Sequence, residues 1–558
     1  MSSASLRQFS LLLSSTAALL GSASAFPYNT FDGPGFPACN NVAAVYNVTS
    51  VDEMVSIVKD AAANGTPVRA SGKGHSMLMF IEDILLSSQV PSSFLPTFVP
   101  RNHSGTRRAD RQKHEVWYDT MCQDDPNTII IRTENTNQIS DLQLEPGAES
   151  GSVVIEAGVT FLQLAEYLHN HNASIGYTLV NWNISMAGAA AMGAHRSSIR
   201  EESGVSAGVL SMDIINGKGE MITVERDETS DDWLAASTSL GLLGVIARMK
   251  FKIYPDFKVF SQQKTLEEDE VLNGDIYGMI APYATANFWW WPYLKKFHHR
   301  YYDEVPLTLS DQQGFQNTFS LTDLEAGAAK GILESGKYLA TSNMLAETIF
   351  FGLWSKPNFK EKTDWKDISE WPVYGWNYDV LIGGLYPDQK PEWEHGMHGE
   401  TLEMAFPITQ ANDMLKRVRK FFDDEWKDKG IIMTSTYRSG INIKFGKAYY
   451  DLLGQTTYNT SDGADWSRGA IMFDFPRFKP NGGDGKPFNP DFYPRLAKVL
   501  IDEFPCRPHW TKNTRDIFKY GKKNIDPNHL ARFKAVREKF DPDNIYKSVL
   551  GEIMGLYE

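Results

Sequence analysis

The segment VRASGKGHSM, residues 68–77, places a histidine directly after a glycine-rich turn. Its first half alternates apolar and polar residues, which is typical of a half-buried strand. Gly72 and Gly74 permit positive φ and let a ligand approach the backbone, whose N–H groups can bind an anion. The pattern predicts a turn that holds a ligand against His75. An ordinary strand-to-helix loop with an exposed histidine is the alternative, because short glycine motifs are common.

Two later segments, TLEMAFP (residues 401–407) and GINIKF (residues 440–445), alternate apolar and polar residues with a period of two. The apolar residues of each strand share one face, which leaves Glu403 and Lys444 on the opposite face. Strands of this kind predict a sheet that packs on a core with one face and lines a site with the other.

Length and charge limit the possible functions. At 558 residues the chain is about twice as long as a single hydrophobic core supports, so we expect two or more domains. A formal net charge of -14 leaves no basic surplus for phosphates, which argues against nucleic-acid partners and anionic membranes. After residue 25, no segment reaches the roughly 20 apolar residues of a membrane helix.

The N-terminus has the pattern of a targeting segment. Arg7 precedes the apolar run LLLSSTAALL, and the small residues SASA follow before Phe26, which predicts a secretory signal peptide over residues 1–25. A signal anchor is the alternative, but the run is short for a membrane span. Five N-x-S/T sequons agree with a secreted glycoprotein: Asn47, Asn102, Asn172, Asn183 and Asn459.

The order of strands and helices predicts an α+β fold. Residues 36–255 alternate short apolar strands with helical periods, of which the first stops at Gly65. Later come an aromatic strand, ANFWWWPY, a region over 305–350 that is predicted to be largely helical, and a helix from Thr409. Residues 88–127 are rich in Pro, Ser, Asn and charge, which is typical of a surface insertion.

Four segments, taken in order, resemble one family of enzymes. RASGKGHS (69–76) resembles the histidine loop of the vanillyl-alcohol-oxidase-type flavoproteins, in which the turn wraps the FAD pyrophosphate and the histidine often bonds covalently to the isoalloxazine. NISMAGAAAMGAHRSS (183–198) is similar to their second flavin segment, and TSLGLLGVIARMKFKIYP (238–255) to the strand that closes their FAD domain. RPHWTK (507–512) and the C-terminal tail resemble the aldonolactone oxidases.

The resemblance implies an α+β fold with an FAD-binding domain of the two-part PCMH type over 36–255. A substrate cap domain, an antiparallel sheet flanked by helices, would follow over 256–512, and residues 513–558 would pack back on the FAD domain. The cofactor-binding residues would be Ser71, Gly72, Lys73, Gly74, His75, Ser76, Gly188, Ala189, Gly193, Ala194, His195, Gly241, Gly244 and Ile246, with His75 as the covalent tether. A structural histidine is the alternative for His195, and strand packing is the alternative for the last three.

The chemistry that the family implies is alcohol oxidation, in which hydride passes to the flavin while a side chain takes the hydroxyl proton. Glu403 occupies the family's acidic position and is the predicted base, and desolvation is expected to raise its pKa towards working pH. Lys444, where relatives have arginine, and His509 and Lys512 of the terminal signature are predicted to stabilise developing negative charge. A structural role is the alternative for each. Ala405 stands where some relatives carry arginine, so substrate anchoring is expected to differ.

The predicted enzyme is therefore a secreted FAD-linked oxidoreductase that acts on a CH–OH group of a sugar lactone, sugar acid or related metabolite, with oxygen as acceptor and no metal. One alternative is a specialised-metabolite oxidase of a non-sugar alcohol, and another is a non-catalytic flavin- or sugar-binding protein. A metal-dependent hydrolase is the remote alternative, because HGMHGE offers His395, His398 and Glu400 at a spacing that departs from H-E-x-x-H.

The three cysteines restrict the covalent chemistry. Cys39 and Cys122 could pair in an oxidising compartment, which would leave Cys506 alone. No cysteine lies between residues 123 and 505. The second, cysteinyl anchor of the berberine-bridge type of oxidase is therefore excluded.

The tether gives the first prediction. Because His75 ends the glycine turn where relatives carry the covalent bond, acid-precipitated protein should stay yellow, and His75→Ala should release its flavin into the supernatant. Absorbance of the pellet and of the supernatant measures this directly. Complete loss of FAD from precipitated wild-type protein would show that the bond does not form.

Overall fold

The computed structural model describes residues 26–28, 39–72, 125–176, 183–309, 312–317, 320–335, 340–387, 389–391, 395–430, 439–479 and 489–557. The strands are β1 (Phe26–Tyr28), β2 (Cys39–Val42), β3 (Ala44–Asn47), β4 (Val68–Ser71), β5 (Ile129–Arg132), β6 (Ile139–Gln143), β7 (Gly151–Glu156), β8 (Ala173–Ser174), β9 (Val209–Ile215), β10 (Met221–Glu225), β11 (Val245–Pro255), β12 (Lys258–Glu267), β13 (Thr285–Trp291), β14 (Lys296–Val305), β15 (Gly314–Gln316), β16 (Ser320–Leu321), β17 (Phe359–Glu361), β18 (Val373–Trp376), β19 (Lys390–Pro391), β20 (His398–Pro407), β21 (Ile441–Gly446), β22 (Ala470–Lys479) and β23 (Arg507–Pro508). The helices are α1 (Val51–Asn64), α2 (Phe161–His169), α3 (Met186–Ala191), α4 (Asp231–Ala236), α5 (Glu268–Leu272), α6 (Ile276–Ile280), α7 (Asp323–Ser335), α8 (Ala340–Trp354), α9 (Ala411–Lys429), α10 (Phe492–Glu503), α11 (Arg515–Gly521), α12 (Pro527–Phe540) and α13 (Val549–Met554).

The first part of the chain builds two sheets. Strands β3, β5 and β4 form a parallel sheet whose buried residues share a core with α1. Helix α1 begins after Ser50, whose side chain accepts a hydrogen bond from the N–H of Glu53, and ends at Gly65 with φ of 62°. The second sheet has the order β10-β9-β11-β7-β6, with β8 paired to β11, and its core includes residues of α2 and α4.

The eight-stranded sheet carries the strands that the sequence assigned to a site. Its order is β18-β12-β14-β13-β21-β22-β20-β23, and all its neighbouring strands pair in antiparallel fashion. One face packs against α5, α6, α9 and α10 in a single hydrophobic cluster that includes Leu402, Met404 and Phe406. The period-two prediction for this strand is therefore confirmed, because Glu403 is left on the opposite face. The predicted α+β class with an antiparallel sheet flanked by helices is also confirmed.

The C-terminal segment returns to the first part of the chain. The N–H of Val68, at the start of β4, donates to the carbonyl of Ile545 at 2.8 Å. The Arg69 guanidinium donates from Nη1 to the carbonyls of Gly241 and Tyr546, each at 3.0 Å. These contacts fix β4, the strand that precedes the glycine-rich segment in the sequence.

The region 305–350 is less helical than the sequence predicts. Helices α7 and α8 form, but β15 and β16 precede them, and β15 pairs with β17. Local periodicity could not show this pairing, because the partner strand lies beyond both helices in the sequence. The helix predicted from Thr409 begins at Ala411, after a turn of 3₁₀-helix over Ile408–Gln410. Among the described residues, no helix is both long and apolar enough to cross a membrane.

Candidate active site

Three neighbouring strands bring polar residues together on the face of the eight-stranded sheet opposite its hydrophobic core. Glu403 of β20 lies opposite Asp474 of β22, and Asp474 lies opposite Asn442 of β21. Lys444 is two residues after Asn442 and shares its face. Lys512 approaches from the segment that follows β23. We call Glu403, Asp474, Lys444 and Lys512 the charged cluster.

Glu403 is at the centre of the charged cluster and is fully buried. Its Oε2 accepts a hydrogen bond from Nζ of Lys512 at 2.5 Å and lies 3.7 Å from Nζ of Lys444. Its Oε1 accepts from Nε2 of His195 at 2.6 Å. The backbone N–H of His509 donates to the Glu403 carbonyl at 2.9 Å. The four predicted residues Glu403, Lys444, His509 and Lys512 therefore meet at one place.

Asp474 is a member of the cluster that the sequence analysis missed. Its Oδ2 accepts hydrogen bonds from Nζ of Lys444 at 2.7 Å and from Nζ of Lys512 at 3.0 Å. Its Oδ1 accepts from the Thr401 hydroxyl at 2.5 Å. A sequence signal existed, because Asp474 is the one charged residue in the run AIMFDF, and in a strand its side chain points away from the face of Phe473 and Phe475.

The expectation that burial raises the pKa of Glu403 towards working pH is wrong. Burial alone would raise that pKa, but the charges of Lys444 and Lys512, with smaller effects of His509 and His195, hold it well below the ordinary value. The two ammonium groups likewise outweigh burial at Asp474 and lower its pKa. The same attraction, opposed by burial, raises the pKa of Lys512. The lysines thus keep the carboxyl groups of Glu403 and Asp474 in their ionised forms.

His509 is neutral, which corrects its prediction as a cation. Burial lowers the pKa of His509 to about 3, although Glu403 opposes the shift. Nδ1 of His509 accepts a hydrogen bond from the backbone N–H of Thr511 at 3.2 Å, so this nitrogen carries the lone pair. The ring proton must then be on Nε2. At neutral pH, His509 is therefore an uncharged hydrogen-bond donor through Nε2.

His195 connects the charged cluster to the first part of the chain. It lies after α3, in the segment predicted to line the cofactor, and is buried. Its ring centroid is 5.4 Å from that of His509, and its Nε2 contacts Glu403. A hydrogen bond therefore joins a residue of the predicted cofactor segment to a residue of the eight-stranded sheet, which belongs to the predicted cap domain and is called the cap sheet below.

The two segments predicted to bracket FAD are adjacent in space. A Cβ at Gly72, just after β4, would lie 2.2 Å from Oγ of Ser185, just before α3, so the absence of a side chain at Gly72 lets the two segments approach closely. The backbone of Gly188 is exposed on α3. Gly193 has φ of 66°, and a Cβ there would meet Thr238 at 3.3 Å. Bare backbone on both segments fits a dinucleotide, whose pyrophosphate is bound by main-chain N–H groups.

The other predicted cofactor residues have different outcomes. Lys73, Gly74, His75 and Ser76, together with Asn102 and Cys122, lie outside the described residues. Ser71 ends β4, and Ala189 and Ala194 lie within and after α3. A Cβ at Gly244 would lie 2.2 Å from the carbonyl oxygen of Ile215, and Ile246 is in the core, so these positions pack within the protein. Cofactor contacts of Gly241, Gly244 and Ile246 stay a prediction.

A metal ion has one possible site in the described part of the chain. Ligand atoms of His195, Glu403 and His509 lie within 4.8 Å of one another. Two ammonium groups already contact the Glu403 carboxylate, however, and would repel a cation there. Glu400 of the rival hydrolase motif is ion-paired with Arg477 on the neighbouring strand. The donor set therefore fits an organic substrate better than a metal.

Comparisons with known proteins agree with this geometry. A family described as an FAD binding domain matches residues 117–225. L-gulonolactone oxidase 3 of Arabidopsis thaliana is 26% identical over 461 residues, which cover 76% of this chain and 73% of that protein. D-arabinono-1,4-lactone oxidase of Kluyveromyces lactis is 26% identical over 283 residues, which cover 49% and 44%.

Solved structures show the same fold at low sequence identity. A solvent-stable cholesterol oxidase superposes with a TM-score of 0.65 at 14% identity, covering 96% of this chain and 97% of its own. A VAO-type flavoprotein of Myceliophthora thermophila C1 gives a TM-score of 0.53 at 11% identity, covering 90% and 78%. The chain is thus an FAD-linked oxidoreductase, and its fold is similar to that of a VAO-type flavoprotein.

The two relatives that are similar in sequence are both named as lactone oxidases. This confirms the resemblance on which the sequence analysis relied, and with it FAD as the cofactor.

The lysines that hold the pKa of Glu403 low should be visible in the pH dependence of catalysis. An acid that has to be ionised loses its function as pH falls through its pKa, so the wild-type acid limb should lie below the ordinary glutamate value of 4.5. Lys512→Met removes a charge 2.5 Å from Glu403, and the limb should move up by about one unit or more. Stopped-flow flavin reduction across the acid range measures it.

The matched control is Lys519→Met, which removes an exposed lysine paired with Asp516 on α11. In this variant, the acid limb of the pH profile of flavin reduction should lie at the same pH as in the wild type. An acid limb that stays in place in Lys512→Met would contradict the assignment of that limb to Glu403.

Proposed function

We propose that the protein is a secreted FAD-dependent oxidase that oxidises a secondary alcohol of a sugar lactone or a related polyhydroxylated metabolite. The observation that carries this proposal is the buried Glu403 carboxylate, which contacts His195 of the cofactor segment from the polar face of the cap sheet. A carboxylate at this junction can receive a hydroxyl proton next to the flavin. The relatives named above, which are lactone oxidases, support the substrate class.

The reaction requires that the carbinol lose a hydride and a proton. FAD, when bound, supplies the two-electron acceptor for the hydride. Glu403 is ionised, so it accepts a hydrogen bond from the substrate hydroxyl and takes its proton as the carbonyl forms. The neutral His509 donates its Nε2–H to a substrate oxygen, and thereby orients the substrate without competing for the proton.

The lysines tune this carboxylate. Lys512 and Lys444 fix the position of Glu403 Oε2. Their positive charges make Glu403 a weaker base, because they stabilise its ionised form. The site therefore gains a preorganised carboxylate over a wide pH range and relies on positioning for its rate.

The second candidate substrate is a non-sugar alcohol. Ala405 stands where some relatives carry an arginine, and here it packs with Trp466 and Met472 in an apolar cluster. Lys444 replaces another arginine, and its ammonium is already bound by Asp474. A panel of aldonolactones, open-chain polyols and aromatic alcohols separates the two candidates, since only a substrate will bleach the flavin under anaerobic conditions.

We also propose that the protein enters the secretory pathway and that oxygen reoxidises its flavin. The apolar run before Phe26 supports the first part, and the exposed positions of Asn47, Asn172 and Asn459 suit glycans. N-terminal sequencing of the secreted protein should begin at Phe26, and an endoglycosidase should lower its mass. An intact Met1 or an unchanged mass would contradict secretion.

The electron acceptor is tested separately. If oxygen reoxidises the flavin, hydrogen peroxide should form during turnover.

The proton acceptor gives the mechanistic prediction. Glu403→Gln keeps the shape of the side chain but cannot take a proton, so anaerobic flavin reduction should slow by about 10²–10⁴-fold while FAD stays bound. Reoxidation by oxygen should change little, since that step does not use the substrate hydroxyl. Stopped-flow absorbance separates the two half-reactions.

Glu400→Gln is the matched control, because Glu400 lies on the same strand and loses the same charge, but its partner is Arg477. Its reduction rate should stay near that of wild type. If flavin reduction in Glu403→Gln is within about threefold of the wild-type rate, a group other than Glu403 is the general base.

A further inference from the structure

We propose that Asp474 is a specificity-determining residue, which makes the site selective for uncharged substrates over carboxylates. The inference rests on the proposed function, in that it concerns the substrate oxidised at Glu403. Both a sugar lactone and a sugar acid could undergo this reaction, and the charge of Asp474 gives a reason why the lactone would be preferred.

The contacts of Asp474 carry the argument. One oxygen, Oδ2, bridges Nζ of Lys444 at 2.7 Å and Nζ of Lys512 at 3.0 Å. The other oxygen accepts the Thr401 hydroxyl, which fixes the carboxylate in this bridging position. Asp474 thus already supplies each ammonium group with a carboxylate partner.

Charge matching then decides what the site accepts. With Glu403 and Asp474 ionised, the two carboxylates balance the two ammonium groups within 3.7 Å. A substrate carboxylate has to give up its water on entering, and this cost is offset only where a cation is available. Here a third carboxylate would face two others. Hydroxyl and lactone groups carry no charge and need only hydrogen bonds.

The guanidinium groups on this face do not supply the missing cation. Arg300 is 1% exposed, and its guanidinium lies 4.7 Å from the Trp289 ring, with two further tryptophans around it. Arg507 stacks at 3.6 Å on Trp466 and donates to the carbonyl of Thr457 at 2.6 Å. Both groups are enclosed by protein, so neither offers an open anion site.

Replacement of Asp474 by asparagine tests this inference with little change of shape. Asp474→Asn keeps an acceptor for the hydroxyl of Thr401 but leaves the cluster with one more positive than negative charge. The variant should therefore bind carboxylate substrates that the wild type rejects. Asp474→Glu keeps the charge and should keep the wild-type preference.

The experiment compares an aldono-1,4-lactone with the open-chain aldonate made by its hydrolysis, so that both share one carbon skeleton. Flavin reduction and steady-state turnover are measured for wild type, Asp474→Asn, Asp474→Glu and Glu400→Gln. Wild type should prefer the lactone by about 100-fold or more in kcat/KM. Asp474→Asn should narrow this preference by about tenfold or more, mainly through a lower KM for the aldonate, while Glu400→Gln should not change it.

The outcomes separate the two claims. Reduction by the aldonate at a rate similar to the lactone in wild type would overturn the inference and leave the proposed function in place, and this comparison needs no variant. An unchanged preference in a folded Asp474→Asn, with FAD retained and cooperative thermal unfolding, would overturn it as well. Reduction by neither compound would overturn the proposed function and the inference with it.

Discussion

Two buried carboxylates, Glu403 and Asp474, lie next to two partly buried ammonium groups, Lys444 and Lys512, and this pairing of charges makes the site possible. The positive charges of the lysines offset the cost of burying the carboxylates and lower the pKa of both. The ammonium groups come from β21 and from the segment after β23, so the site exists only when these distant parts of the chain are in register. The charged cluster therefore ties catalytic chemistry to correct folding of the cap sheet.

The same cluster explains how the two parts of the molecule cooperate. The cap sheet supplies the carboxylates, whereas the small-residue segment around α3 supplies bare backbone and His195. The C-terminal residues hold β4 through Arg69, and β4 leads directly into the predicted cofactor turn. A substrate between the sheet and the cofactor would thus meet a preorganised, largely dry set of partners, as an enzyme that relies on positioning requires.

Sequence reasoning predicted the fold class, which is confirmed, and most residues of the candidate site, for identifiable reasons. Period-two alternation predicted that Glu403 and Lys444 lie on the polar face of the sheet, because the apolar residues of each strand must pack in the hydrophobic core on the other face. It missed Asp474, whose importance comes from two lysines elsewhere in the chain, and it misjudged the pKa of Glu403 for the same reason. The tautomer of His509 depends on a backbone N–H two residues away, and no residue pattern predicts that geometry.

The proposed function requires that substrate is oxidised at Glu403, between the cap sheet and the cofactor. A crystal structure of the FAD-loaded protein with a bound aldonolactone would show where the substrate lies. We expect that a substrate hydroxyl lies within hydrogen-bonding distance of the Glu403 carboxylate, and that Lys512 still contacts that carboxylate. Substrate bound instead in the separate cavity of 320 Å³ lined by Arg196, Glu202 and Tyr254, with none at Glu403, would contradict the proposed function.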